Sequence, residues 1–142
     1  MAMTLKLTIV TPERRMLINQ SVEALVVPAF KGEVNILPGH APLITTLDTG
    51  VLKWKEAGSS DWTKAALSWG YCQVGPSGLV SVLADLVQLP GEVEFNQETK
   101  VIAETEARMG TEQMDDYQWK AAQREIARAR AAIDILAATQ KI

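Results

Sequence analysis

The sequence predicts an α+β fold: an N-terminal antiparallel β-sandwich over residues 1–88, followed by a C-terminal antiparallel two-helix hairpin over 92–142. Three observations predict it. Short apolar runs of strand periodicity, separated by glycine, proline, serine and aspartate, fill the chain to about Asp85. Leu89-Pro90-Gly91 then breaks the pattern. Beyond it glycine occurs once, at Gly110, and proline never, while the helix-favouring alanine, glutamate and arginine dominate.

In chain order, Leu5-Lys6-Leu7-Thr8-Ile9-Val10 alternates apolar with polar, the period of a strand with one wet face. Thr11-Pro12-Glu13-Arg14 is turn chemistry, and Val22 to Val27 is a more continuously apolar run suited to a sandwich core. Pro28 ends that run or sets it at an edge. In GEVNILPGHAPLITT, from Gly32 to Thr46, Pro38-Gly39 suits the centre of a type II turn. Pro42 bars a regular helix and biases Ala41 toward an extended conformation. Flanked by Val34, Ile36 and Leu37 and by Leu43, Ile44 and Leu47, this stretch is expected to be a rigid, half-buried corner. His40, the only histidine, has no acidic or thiol neighbours at ligand spacing, so its expected role is structural, hydrogen-bonding across the turn.

Val51 to Lys55 and Trp62 to Leu67 frame Gly58-Ser59-Ser60-Asp61 as a hairpin, with Trp54 and Trp62 expected to stack across it. Gly70 is expected at a turn. Tyr71 to Val74 and Leu79 to Ala84 frame a second hairpin at Gly75-Pro76-Ser77-Gly78. The first helix is predicted from Phe95 or Asn96, with Asn96 as N-cap, to a break at Met109-Gly110-Thr111. Asp115 or Asp116 caps the second, which runs from Tyr117 to about Thr139 with an apolar stripe of Ala122, Ile126, Ala129, Ile133 and Leu136.

Charge is divided unevenly within the tail. Residues 91–116 hold eight acids against two bases, and residues 117–142 five bases against two acids. Lys120, Arg124 and Arg128 recur every four residues, on one face. That face can be solvated or paired with the acidic helix, or it can meet an acidic partner.

Several function classes are excluded or disfavoured. The net charge of −3 gives no reason to expect nucleic acid, which favours clustered basic surface. Cys72 is alone, so no internal disulfide forms, and its strand setting suits packing better than nucleophilic chemistry. No apolar run is long enough to span a bilayer, so membrane association is expected only through a partner, from the cytosol. Ser68-Trp69-Gly70 lacks the nucleophile-elbow pattern, and beside His40, read as structural, there is no second histidine to build a triad. Gly75-Pro76-Ser77-Gly78 has no lysine and opens no helix, so it is no phosphate loop. No cofactor or metal is expected. The four tryptophans leave a free-standing β-sandwich ligand-binding module as an alternative.

The Gly32–Thr46 stretch resembles the N-terminal domain of the ε subunit of bacterial F-type ATP synthases, with its pattern G-E-x-x-x-x-P-G-H-A-P-L-x-T. The resemblance extends through Val10-Thr11-Pro12-Glu13, Val26-Val27-Pro28, Gly50-Val51-Leu52, Gly70 and Val82-Leu83-Ala84-Asp85, then weakens into the helical tail. It implies a non-catalytic, regulatory central-stalk subunit of a rotary, proton-translocating complex, peripheral to the cytoplasmic side of the inner membrane. Implied partners are the γ subunit, the c ring and the catalytic β subunits. By the same resemblance, Lys31-Gly32-Glu33 match the loop at the c ring, and Lys120, Arg124 and Arg128 face an acidic segment of the β subunits when the tail inhibits. Some members bind ATP through I/L-D-x-x-R-A at the start of helix one. Aligned without gaps, that motif falls on Val93 to Glu98, where arginine becomes Gln97 and alanine becomes Glu98. No nucleotide site is therefore expected.

Overall fold

The computed structural model describes residues 3–140, with side chains through 136; Lys141 and Ile142, the end of the predicted tail, lie outside the described residues. Seven strands come first: β1 (Leu5–Val10), β2 (Arg15–Ala29), β3 (Gly32–Ile36), β4 (Leu43–Leu47), β5 (Gly50–Glu56), β6 (Trp62–Val74) and β7 (Leu79–Gln88). A 3-10 turn at Pro90–Glu92 leads to helices α1 (Phe95–Thr111) and α2 (Asp116–Gln140).

Antiparallel ladders join β2 to β1, β3 and β5, and β6 to β4, β5 and β7. The all-antiparallel expectation fails at one joint. There β1 runs parallel to β7, with Leu7 beside Val80 and Ile9 beside Val82. The reason is parity. β1, β2, β5, β6 and β7 pair in a closed ring, and an odd ring of strands cannot alternate in direction all the way round. The ring is flattened into a sandwich whose centre is packed with Leu5, Leu7, Ile9, Leu25, Leu52, Leu67 and their neighbours.

Gly70 is not a turn. It lies in the middle of β6, where the inward side of the strand changes from Ala65 and Leu67 to Cys72 and Val74. β6 there passes from one layer of the sandwich to the other, and its partner along one edge changes from β5 to β4. A Cβ at Gly70 would stand 2.0 Å from the Leu83 carbonyl oxygen and 2.8 Å from Ala84 Cα, so only glycine fits. Trp54 and Trp62 do not stack. Trp54 pairs with Thr63 and Trp62 with Lys55, which puts the two rings on opposite faces of the hairpin. Trp54 is core and Trp62 is exposed.

Glu94, not Asn96, is the N-cap residue of α1, in extended conformation and without a side-chain cap bond; Asn96 lies inside the helix. α1 runs through Gly110 before ending at Thr111. At α2 a reciprocal cap forms: the Gln118 N–H donates to Asp115 Oδ1 (2.7 Å), and the Asp115 N–H donates to Gln118 Oε1 (3.1 Å). Ala122, Ile126 and Ala129 are buried as predicted. Burial then moves to Ala131, Ala132 and Ile135, leaving Ile133 and Leu136 only partly covered. The stripe turns because this end of α2 packs on the sandwich, against Ala66, Val51 and Val93.

Candidate functional site

Lys31, Gly32 and Glu33 lie at the exposed β2–β3 turn, where Gly32 holds φ at +125°. Beside them Phe30 is 72% exposed, its N–H donating to the Thr46 carbonyl (3.2 Å). The next corner is closed by the His40 N–H donating to the Leu37 carbonyl (3.0 Å), with Gly39 at φ +90° between Pro38 and His40. The His40 ring donates from Nδ1 to the Ala41 carbonyl (2.7 Å), which turns it inward on its own backbone. Pro42 is exposed and leads into β4. Half-burial holds for Val34, Pro38 and Leu43 but not for Leu37 and Ile44, which project into solvent.

Ile44 belongs to a larger apolar surface. On the outer face of β4, the second half of β6 and β7, Ile44, Tyr71, Leu79 and Leu83 are all exposed, with Tyr71 directly beside Leu83. A cleft of about 340 Å³ opens at the Gly70 crossing, lined by Val10, Pro12, Trp69, Tyr71, Leu83 and Asp85. Single exposed apolar residues are ordinary, whereas several on one face beside a cleft make a candidate interface. The tryptophans build no common platform: Trp54 is inside, Trp62 and Trp69 lie on different stretches of β6, and Trp119 is on α2. Cys72 packs in the core, where burial pushes its thiol up to about 11, too high for a nucleophile at neutral pH.

The three basic residues of α2 occupy three environments. Lys120 is exposed and makes no ion pair among the described residues. Arg124 is exposed, its guanidinium carbon 5.5 Å from the centroid of the Trp69 ring. Arg128 points inward. Its Nη1 donates to Gln88 Oε1 (2.8 Å), its Nη2 to Glu125 Oε1 (2.8 Å), and Nη2 also lies 2.9 Å from Glu98 Oε2. Desolvation alone would lower the Arg128 pKa; the attraction of the Glu125 and Glu98 carboxylates outweighs it and holds the pKa raised. A second ion pair, Arg14 Nη1 to Glu92 Oε2 (2.7 Å), ties the β1–β2 turn to the 3-10 turn.

The model of the ATP synthase delta/epsilon chain β-sandwich domain matches residues 4–90. The ATP synthase epsilon chain of Bdellovibrio bacteriovorus is 52% identical over 132 residues, 93% of this chain and 94% of that one. The chain belongs to the ATP synthase epsilon family. The epsilon chain of Granulibacter bethesdensis is 34% identical over 90% of this chain and 93% of its own. Two solved assemblies share the fold. A chain of the Euglena gracilis mitochondrial ATP synthase OSCP/F1/c-ring aligns with a TM-score of 0.81 at 19% identity, covering 96% of this chain and 82% of that chain. A chain of the Tetrahymena thermophila mitochondrial ATP synthase central stalk/c-ring aligns at 0.68 and 16%, covering 96% and 97%.

An epsilon chain is a non-catalytic subunit of a rotary complex, so what matters on this epsilon-family chain is surface rather than a reacting centre. No described helix is long and apolar enough to cross a membrane. Two features escaped sequence reasoning. The Gly70 cleft depends on a crossing of distant strands, and the inward turn of Arg128 depends on Glu98 and Gln88, 30 and 40 positions away. The V-L-A-D run that lines part of that cleft was the available signal for the first. Nothing local signalled the second.

Proposed function

We propose that this epsilon-family chain works in the central stalk of a proton-translocating ATP synthase, at the cytoplasmic face of the inner membrane. There it couples c-ring rotation to ATP synthesis and restrains ATP hydrolysis through α1 and α2. The observation that carries this reading is 52% identity along 93% of the chain, which spans both the sandwich and the helices.

Each partner is assigned a surface by its chemistry. The γ subunit takes the apolar face of Ile44, Tyr71, Leu79 and Leu83, with the adjoining cleft receiving an apolar side chain. The c ring takes the Lys31-Gly32-Glu33 turn, where Phe30 stands exposed beside a lysine and a glutamate. The catalytic β subunits meet the basic residues of α2 through an acidic surface; Lys120 and Arg124 are available from the start, and Arg128 only after the hairpin opens. Affinity purification of the full chain from native membranes is the test. Recovery of γ, c and the catalytic subunits is expected, with loss of γ on Tyr71→Glu. Recovery of the chain alone, or with a small molecule in place of subunits, overturns the reading.

A further inference from the structure

We infer that Glu98 and Arg128 form a latch that sets how often the helical hairpin leaves the sandwich. Arg128 thereby acts chiefly as a restraint on the tail and only secondarily as a contact for an acidic partner. The consequence for ATP hydrolysis rests on the proposed regulatory function; the latch itself rests on the geometry of this chain.

One guanidinium joins three elements. Glu98 lies in the first turn of α1, Arg128 midway along α2, and Gln88 is the last residue of β7. Separating α1 from α2, or α2 from the sandwich, breaks part of the same cluster. The pair is well buried, with side-chain exposures of 11% for Arg128 and 8% for Glu98. Glu98 Oε2 is shielded from solvent and takes no aligned hydrogen bond; the guanidinium 2.9 Å away is its counter-charge. Removing Arg128 leaves the Glu98 carboxylate buried and uncompensated, the costly way to break a buried ion pair, whereas removing Glu98 leaves Arg128 still paired with Glu125. Apart from Arg128–Glu125, which belongs to the same cluster, the described ion pairs of the hairpin are of another kind: Lys100–Glu104, Arg108–Glu112 and Arg130–Glu106 all have side chains more than half exposed and separations of 3.7–3.8 Å.

The apolar contact between hairpin and sandwich is too small to make the latch redundant. It consists mainly of Ala66, Ala131, Ala132 and Ile135. Arg128 also cannot serve two partners at once. Its Nε, Nη1 and Nη2 are already directed at Glu125, Gln88 and Glu98, so an acidic surface outside the chain reaches it only once the cluster has come apart. Loss of Arg128 should therefore favour the released tail, the opposite of what loss of a pure partner contact would do.

Hydrogen exchange of the full-length chain tests this without any measurement of inhibition. Arg128→Gln should speed exchange along α1 and α2 by about tenfold, and Glu98→Gln by a smaller factor because Arg128 keeps Glu125, with β1 and β7 unchanged in both. The double variant should exchange no more than about twice as fast as the faster single, because both changes undo one interaction. Glu104→Gln, which touches only an exposed pair, should change nothing. Unchanged exchange in the singles, multiplying effects in the double, or an equal rise in β1 and β7 would each overturn the latch. In the assembled enzyme Arg128→Gln should lower ATP hydrolysis. Faster tail exchange with unaltered hydrolysis would leave the latch standing and remove the regulatory reading instead.

Discussion

The sandwich and the hairpin are built from the same chain but held by different surfaces. Inside the sandwich the largest fully buried side chains are Leu5, Leu7, Ile9, Leu25, Ile36, Leu52 and Leu67. Where α2 meets the sandwich they are alanines and one isoleucine. A buried leucine is worth about 2 kcal/mol in transfer and an alanine methyl about 0.8, so the two regions differ severalfold in the hold of each contact. A single arginine cluster makes up part of the difference. The contrast teaches that one region is held more firmly than the other, which is what the two-position tail proposed above requires.

The largest effect should come from hollowing the rigid region. Leu52→Ala should cost about 2–5 kcal/mol in urea unfolding, with both regions lost together if the hairpin depends on the sandwich. Gly70→Ala should be comparably severe, since its Cβ would stand 2.0 Å from the Leu83 carbonyl oxygen. A change below about 1 kcal/mol in either variant would mean that the sandwich is not the tightly packed member of the pair.

Ending the chain after Gln88 sharpens the comparison from the other side. The sandwich has its own core, so the fragment should keep near-UV circular dichroism and cooperative unfolding, losing about 1–3 kcal/mol as Ala66 and Val51 become exposed. A molten fragment would show that the sandwich needs its hairpin.

What was legible in the sequence divides along the same line. The strands announce themselves through local pattern: alternation in β1, and glycines at Gly58 and Gly78 whose φ of +83° and +81° suits the hairpin loops. The P-G-H corner is local too, closed by a bond from His40 back to Leu37. Most of what failed was non-local, the Asn96 cap and the Trp54–Trp62 stack being the local exceptions. Gly70 looked like a turn because its real constraint, the Leu83 carbonyl, comes from another strand. The parallel β1–β7 joint follows from closing a ring of five strands, which no single strand shows. The four-residue recurrence of Lys120, Arg124 and Arg128 correctly put them along one side of a helix. It could not show that the side turns inward at Arg128, because that depends on where Glu98 and Gln88 come to rest. The surfaces proposed for γ and the c ring need those partners to be complete, so no one-chain pattern spells them out.

A smaller effect is expected from the open part of the basic face. Lys120→Ala with Arg124→Ala should raise ATP hydrolysis by the assembled enzyme a fewfold, since exposed ion pairs contribute about 0.2–1 kcal/mol each. The tail's docking should barely change, apart from the lost contact between Arg124 and Trp69. Hydrolysis equal to that of the unaltered enzyme, with assembly intact, would assign this face to solvent.

Smaller again is the pH dependence of the joint between the two regions. Hydrogen bonds from Arg14 and from the Leu89 N–H hold the Glu92 carboxyl below its ordinary 4.5. A carboxyl depressed by folding adds stability above its unfolded value and loses it as pH falls through the folded one. The melting temperature of the unaltered chain should thus exceed that of Glu92→Gln at pH 7 and converge with it as the carboxylate protonates, below about pH 4. With Arg14 and Glu92 45% and 38% exposed, the gap should be small and shrink further in salt. A gap that persists at about pH 3 would place the effect in packing instead of charge.

The smallest expected effect is none at all, and it bears on what holds the hairpin closed. The register that would carry an ATP motif in some epsilon chains falls on Val93 to Glu98, with Gln97 where a fixed cationic fork would face phosphate. The structure adds a second obstacle. Glu98 is buried against Arg128, so the arginine of α2 best placed to serve this region is already engaged by the chain's own carboxylate. A polyphosphate would have to displace that carboxylate and then sit beside Glu92 and Glu94, each adding repulsion on the order of 1 kcal/mol or more near a surface. Isothermal titration of the full-length chain with ATP and magnesium should accordingly give no binding heat, and ATP should leave tail exchange unchanged. A one-to-one micromolar isotherm would mean that Arg128 releases Glu98 readily, and the internal ion pair would then be a resting contact for a ligand-controlled tail.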